Sequence, residues 1–242
     1  MNRGNILQDQ VDYYRARAGE YDEWWFRQGR YDRGTAFNDR WHDETAVVEG
    51  ALDAWLARKN PASVLELACG TGLFTRRIAP HVAVLTAIDA SPEVLAINRA
   101  RVAAANVRYV EADLFEWQPR ERYDAVFFSF WLSHVPEERF AQFWDGVAAA
   151  LAPEGVAYVI DSAFDPTSTA KNHHLPGREA GVVTRKLNDG REFRIVKVFW
   201  EPRSLAARLA QLHWSATLTQ TPNYFIHGEA RPRRDLSTTS RV

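Results

Sequence analysis

The chain has 242 residues, 46% of them hydrophobic, which is enough to bury a full core around one α/β domain. With 30 Lys and Arg against 31 Asp and Glu, the net charge of −1 supplies no general pull toward nucleic acid or an acidic membrane. One cysteine excludes an intramolecular disulfide framework, and the lack of a signal-like or bilayer-length apolar run predicts a soluble cytoplasmic protein.

Residues 6–18 read as a helix carrying two adjacent tyrosines, Tyr13 and Tyr14. Residues 19–37, aromatic, charged and broken by glycines, read as an ordered loop. From residue 38, Trp41, Val48, Leu52, Trp55 and Leu56 recur at helical spacing, so a helix runs to about residue 58. These pieces predict an N-terminal helical cover over 1–58. Its tryptophans Trp24, Trp25 and Trp41 either line a pocket or belong to the core.

Strands and helices then alternate. Residues 63–68 read as a buried strand, a helix begins at 73, and 82–88 form a second strand closed by Asp89. Ser91-Pro92-Glu93 supplies a cap, a first-turn proline and an acid to a helix that ends near 106. A short strand over 107–111 leads to Asp113, and 123–130 is a strongly apolar strand. Pro136-Glu137-Glu138 opens another helix, and Pro153-Glu154-Gly155 turns into a strand over 156–161. Five strands with helical crossovers predict a parallel sheet with helices on both faces.

Residues 163–181 form a long connection suited to a lid. A terminal β region over 182–228 follows, with a hairpin signal at Asn188-Asp189-Gly190, a short helix after Pro202 and a β-rich stretch over 216–227. The chain reads as one domain to about 230, with a core over 60–162 and a polar, disordered tail over 231–242.

The joint after the first strand, Glu66-Leu-Ala-Cys-Gly70-Thr-Gly72, suits a ligand that approaches bare backbone. A dinucleotide would call for a third glycine, but Thr75 follows Leu73 and Phe74. No phosphate-binding lysine follows either, and Glu66 would repel a polyphosphate. Glu66, Asp89 and Asp113 fall in order along the strands, toward the side where an open parallel sheet binds ligands. An acid after the second strand accepts from ribose hydroxyls, and one after the third accepts from a purine amino group. A nucleoside with a cationic amino-acid head and no phosphate satisfies all three acids, and S-adenosylmethionine is such a ligand.

The same motif resembles the first motif of the class I S-adenosylmethionine-dependent methyltransferases. Asp89-Ala90-Ser-Pro resembles their second motif and Glu111-Ala-Asp113-Leu114 their third. Tyr123-Asp124-Ala-Val-Phe and Leu151-Ala-Pro-Glu-Gly155 resemble the fourth- and fifth-strand signatures. One departure is Ala68, where the family's triplet usually begins with glycine. The resemblance implies a three-layer α/β sandwich around a seven-stranded, mostly parallel sheet whose last strand is antiparallel. It implies that Ala68, Gly70 and Gly72 pass close to the methionyl part, which Glu66 faces. Asp89 and Ala90 would adjoin the ribose, and Asp113 and Leu114 the adenine. Ser129 and Phe130 would lie under the sulfonium. Tyr14 and Tyr21 either bond the methionine carboxylate or simply pack.

Methyl transfer is an in-line displacement, which calls for alignment and exclusion of water. A base is needed only when the acceptor loses a proton. His134 is the candidate general base, or else a structural residue at a helix start. Ser129 and Ser133 stand where metal-dependent members place carboxylates, and His173-His174 lack ligand spacing, so no metal is expected. The stretch Ser129-Phe130-Trp131-Leu is unlike the Asn/Asp-Pro-Pro-aromatic loop of enzymes that act on nucleic-acid bases or protein glutamine. The expected acceptor is therefore a small molecule, with no nucleic acid or membrane as partner. Trp24, Trp25, Tyr31 and Trp131 favour a flat or apolar one, to be methylated on oxygen or nitrogen, and Lys171 or Arg178 could meet an acid on it. An aminopropyl transferase and a non-catalytic binder are the competing readings.

Overall fold

The computed structural model describes residues 4–233. Helix α1 (Gly4–Ala16) and a single turn α2 (Asp22–Trp25) precede the long helix α3 (Thr35–Lys59). Short 3-10 turns at Ala18–Glu20 and Gly29–Tyr31 give the expected loop more local helix than its glycines suggest. Then follow β1 (Ser63–Leu67), α4 (Thr75–Ile78), β2 (Val84–Asp89), α5 (Pro92–Val102), β3 (Val107–Glu111) and β4 (Tyr123–Ser129). The chain continues through α6 (Glu137–Ala150), β5 (Leu151–Ser162), β6 (Val182–Lys186), β7 (Glu192–Val196), α7 (Pro202–Gln211), β8 (Trp214–Gln220) and β9 (Phe225–Pro232).

Seven strands form the main sheet in the order β3-β2-β1-β4-β5-β9-β8. β9, the last strand, runs antiparallel to both β5 and β8, and the other pairs are parallel. Alternation along the central strands supplies two cores. Val64, Phe127 and Tyr158 face α3 and α4, beside Trp41, Leu52 and Ile78. Leu65, Phe128 and Val159 face α6 and α7, beside Phe140, Trp144 and Leu205. Strand order reverses between β1 and β4, which places a crevice beyond their carboxyl ends.

Several boundaries differ from the sequence reading. The hairpin β6–β7 stays out of the main sheet and forms its own two-stranded sheet, packed on α1 through Tyr13 against Val183 and Ile195. The missing strands come from the terminal stretch, which holds both β8 and β9. β5 already starts at Leu151, and its register with β4 shifts between Tyr123 and Ala125, so Pro153–Gly155 lie within it. α5 stops at Val102 because Ala103 turns left-handed, at φ +47°, and its N–H returns to the Arg99 carbonyl. β9 takes in residues 231 and 232 of the expected tail, and residues 234–242 lie outside the described residues.

Glu44, 4% exposed on α3, fixes the turn between β8 and β9. It accepts from the backbone N–H groups of Asn223 at 3.1 Å and Tyr224 at 2.8 Å, and from the Thr221 hydroxyl. Glu44→Ala leaves these buried donors unpaired, and urea unfolding is expected to show a loss of about 2–4 kcal/mol.

Candidate functional site

A cleft opens at the strand-order reversal. Ala68 and Gly70 after β1, Asp89, Ala90 and Ser91 at the end of β2, and Asp113, Leu114 and Phe115 after β3 form its floor. Ser129, Phe130, Trp131 and His134 after β4 form one wall. Leu7, Gln10, Val11 and Tyr14 of α1, with Tyr21, close the top. The structure therefore brings together ten of the twelve expected cofactor residues, together with Trp131 and His134.

Backbone geometry holds this floor. Asp89 is a bridge between two strand ends: Oδ2 accepts from the Gly70 N–H at 3.0 Å and Oδ1 from the Ser91 N–H at 3.0 Å. Asp113 Oδ1 accepts from the Phe115 N–H at 2.9 Å and shapes the turn after β3. Ala68 and Phe130, which follow β1 and β4, both sit in the left-handed region, at φ +52° and +53°. Such conformations cost about 1–3 kcal/mol in a non-glycine residue and persist where the surroundings enforce them. Phe130 is enforced by its packing against Trp24, Phe74 and Phe225.

Two expected residues lie elsewhere. Glu66 is 1% exposed and shares the α3–α4 face with Val64, so it points beneath the turn and away from the cleft. Gly72 also stands back: a Cβ at its φ of +90° would meet Asn98 Oδ1 at 2.7 Å. Its role is to admit Asn98, whose Nδ2 donates to the Gly70 carbonyl at 2.9 Å and to Thr75 Oγ1 at 2.8 Å.

The expected substrate residues separate. Trp131 lines the cleft, whereas Trp24 and Tyr31 line a second chamber that shares Tyr14, Tyr21, Phe130 and His134 with it. Trp25 is core, packed on Phe74 and Phe225. The second chamber contains what the sequence reading missed: Arg17 just past α1, Arg185 from β6 and Lys197 just past β7, joined by Ser162, Ser168 and Thr169. These cations are 8%, 9% and 7% exposed. Among the described residues, neither Arg17 nor Arg185 has a carboxylate within ion-pair distance, and Arg17 Nε and Arg185 Nη1 are buried without a hydrogen-bond partner. Lys197 lies 4.0 Å from Asp161, whose oxygens already accept from the Ser133 and Ser162 N–H groups. Burial holds the Lys197 ammonium down at about 8. Arg178, by contrast, pairs with Glu201, and neither it nor the exposed Lys171 lines the chamber.

The cover is pinned over both spaces. Arg15 donates to the Ala90 carbonyl at 3.2 Å, and Asp22 accepts from Thr71 Oγ1 at 2.6 Å while pairing with Arg101. Trp24 Nε1 and the Arg27 guanidinium both donate to the Ser168 carbonyl, at 2.9 and 3.2 Å.

Burial pushes the Glu66 carboxyl up to about 8, against one hydrogen bond from Thr75, and its Oε2 has no partner. The folded chain thus holds a proton that the unfolded chain releases near its ordinary 4.5. This contribution to stability is full below about pH 4.5 and is lost as pH rises through about 8. Denaturant titrations of the ligand-free protein should show Glu66→Gln gaining on the parent across that window, with the larger difference at the alkaline end.

A family model described as a methyltransferase domain matches residues 64–155. Ubiquinone biosynthesis O-methyltransferase from Xylella fastidiosa (strain 9a5c) is 31% identical over 205 residues, covering 78% of this chain and 79% of that protein. Nodulation protein S from Rhizobium tropici is 32% identical over 132 residues, covering 53% and 54%. The chain thus spans about half the length of that relative, as it does for several trans-aconitate 2-methyltransferases. A solved DhpI–SAH complex superimposes with a TM-score of 0.77 at 35% identity, covering 97% of this chain and 100% of that one. A DhpI–SAM–HEP complex gives 0.76, covering 96% and 100%. The strand-end acids and close-approach backbone fit the cofactor these relatives carry, and with identity of this order along nearly the whole chain it belongs to the class I S-adenosylmethionine-dependent methyltransferases, with S-adenosylmethionine as methyl donor.

Proposed function

We propose that this enzyme methylates an oxygen of a small molecule that carries an anionic group, held in the second chamber. The observation that carries this reading is the buried set Arg17, Arg185 and Lys197, opposed among the described carboxylates by Asp161 alone. Arg17 donates to the Tyr31 hydroxyl and Lys197 to the Ser133 and Ser162 hydroxyls, but buried charges short of opposite charge are costly, so a site that keeps them is built for a ligand that brings it. Arginine in particular presents a planar fork that matches carboxylate or phosphate-type oxygens. Tyr13, Trp24, Tyr31 and Phe199 also line the chamber, so an apolar portion beside the anionic group is accommodated. One comparison agrees with this: trans-aconitate 2-methyltransferase, a relative over part of its length, is named for a carboxylate anion.

In the first cleft, Asp89 and Asp113 would hold the ribose and the adenine, with Leu114 packing on the ring. Bound S-adenosylmethionine supplies an electrophilic methyl on a cationic sulfur. The protein's work is to orient the acceptor from the second chamber, to set its oxygen in line, and to keep water out with the cover. An ionised oxygen needs no base for this displacement.

Three measurements test the reading. Asp89→Ala should weaken adenosylhomocysteine binding by about 10- to 100-fold in calorimetry, because a charged acceptor is removed. A panel of small carboxylates, phosphates and phosphonates, scored by adenosylhomocysteine release, should contain the acceptor. Arg185→Met should then lose about 30-fold or more in kcat/KM, with adenosylhomocysteine affinity retained. Turnover confined to neutral amines or phenols would overturn the anionic reading.

The chamber also predicts a pH dependence. Sulfate keeps a constant charge across neutrality, while Lys197 is protonated below about 8 and neutral above it. Sulfate affinity should therefore fall as pH rises through about 8, and Lys197→Met should remove that fall.

A further inference from the structure

Of the four side chains that both spaces share, Tyr14 and His134 lie within hydrogen-bond distance of each other. The Tyr14 oxygen lies 2.7 Å from His134 Nε2, and His134 Nδ1 lies 2.7 Å from the Val196 carbonyl oxygen. A carbonyl oxygen can only accept, so Nδ1 must carry a proton. For a neutral ring, Nε2 then holds the lone pair, and the single proton of the Tyr14 hydroxyl is donated to it.

The charges around the imidazole keep it neutral. Arg17 approaches from just past α1, Arg185 from β6 and Lys197 from just past β7, and Asp161 is engaged by Ser133, Ser162 and Lys197. Burial, then Lys197, Arg185 and Arg17, hold the His134 pKa well below 6.5. Taking up a second proton would add a fourth buried cation to three.

We propose that His134 is a positioning residue: held as the Nδ1–H tautomer by Val196, it pins the Tyr14 proton away from the acceptor, so that the accepting oxygen must arrive already ionised. Tyr14 cannot donate to the methionine carboxylate while it donates to His134, and it withholds from the acceptor a hydrogen bond that would tie up the attacking lone pair. The oxyanion supplies both electrons of the new O–C bond, the S–C pair returns to sulfur, and no proton moves. Neither Nε2 nor Nδ1 of His134 has a free lone pair for a proton from the acceptor. This assignment rests on the anionic reading of the second chamber only for the identity of the nucleophile; the Nδ1 proton follows from Val196, and the hydroxyl direction from Tyr14 with the ring kept neutral by burial and its neighbouring cations.

The test is nitrogen-15 NMR of the full chain labelled at histidine, free and with adenosylhomocysteine. The His134 signals are identified as those missing from His134→Gln. They should report the Nδ1–H tautomer without titration between about pH 5.5 and 8.5, the window in which an ordinary imidazole changes charge. In Tyr14→Phe, Nε2 should move toward an unbonded value while Nδ1–H stays. With an acceptor from the panel, His134→Gln should retain most of kcat, because a carboxamide can both donate to Val196 and accept from Tyr14. His134→Ala should lose about 10-fold in kcat with KM little changed, the loss of one buried hydrogen bond to the reacting geometry. An Nε2–H tautomer, an imidazolium titrating in that window, or a break in the kcat–pH profile that vanishes in His134→Gln would overturn the proposal. The spectra need no acceptor, so a panel without turnover would count against the anionic chamber and leave the tautomer result to decide the His134 assignment.

Discussion

The buried carboxamide of Gln10 is the joint on which both chambers depend. Its Nε2 donates to the His134 carbonyl at 3.2 Å, and its Oε1 accepts from the Val196 N–H at 3.2 Å. One side chain on α1 thereby ties the cover to the turn after β4 and to the end of β7. These are the elements that supply His134, Lys197 and the wall between the two spaces. A buried amide that lost either partner would leave a polar group unpaired, so the three elements hold one another in register. Tyr13 and Ile195 add apolar contact beside it, and Arg30, paired with Glu20, reaches the Lys186 carbonyl at the far end of β6.

The two spaces that result make opposite electrostatic demands. The cleft over β1–β3 is floored by backbone turns and carboxylates, which suits a cationic ligand with hydroxyls. The chamber under the hairpin collects three cations and few carboxylate partners, which suits an anion. A sulfonium and an oxyanion attract across such a boundary, and aromatic rings of Tyr14, Tyr21 and Phe130 on that boundary limit water there. In the proposed reading the fold separates the charges by strand order: acids at the carboxyl ends of the sheet, cations on the cover and the accessory hairpin.

Much of the first space was legible in the sequence because it is built from contiguous strand–turn–helix units. Asp89 ends β2 and Asp113 follows β3, and the Ser91-Pro92 cap fixes where the next helix begins, with Ser91 Oγ accepting from the Val94 N–H. Glu66 and Gly72 fit the same motif but answer to burial and to Asn98, which a motif does not display. The second space was not legible. Arg17 falls at the end of a stretch that reads as a cover helix, Arg185 sits in a hairpin that reads as part of the terminal β region, and Lys197 follows a strand. Nothing in the local pattern of any of them signals burial. Only the docking of β6–β7 on α1, instead of on the main sheet, brings the three together. Arg178 and Lys171, the cations chosen from the loop by sequence alone, were drawn from the right neighbourhood of the chain and the wrong side of the hairpin.

The same docking explains why a histidine placed beside the reacting centre is poorly suited to be a base. A base needs an accessible lone pair and an environment that tolerates its conjugate acid. His134 has its lone pair taken by Tyr14, its N–H taken by the backbone of the accessory hairpin, and cations on the far side of the ring. The cations that would draw in an anionic acceptor are therefore the groups that keep the imidazole from protonating. Recruiting the nucleophile by charge and generating it by general base act against each other in one small buried volume, and the arrangement of residues here favours the first.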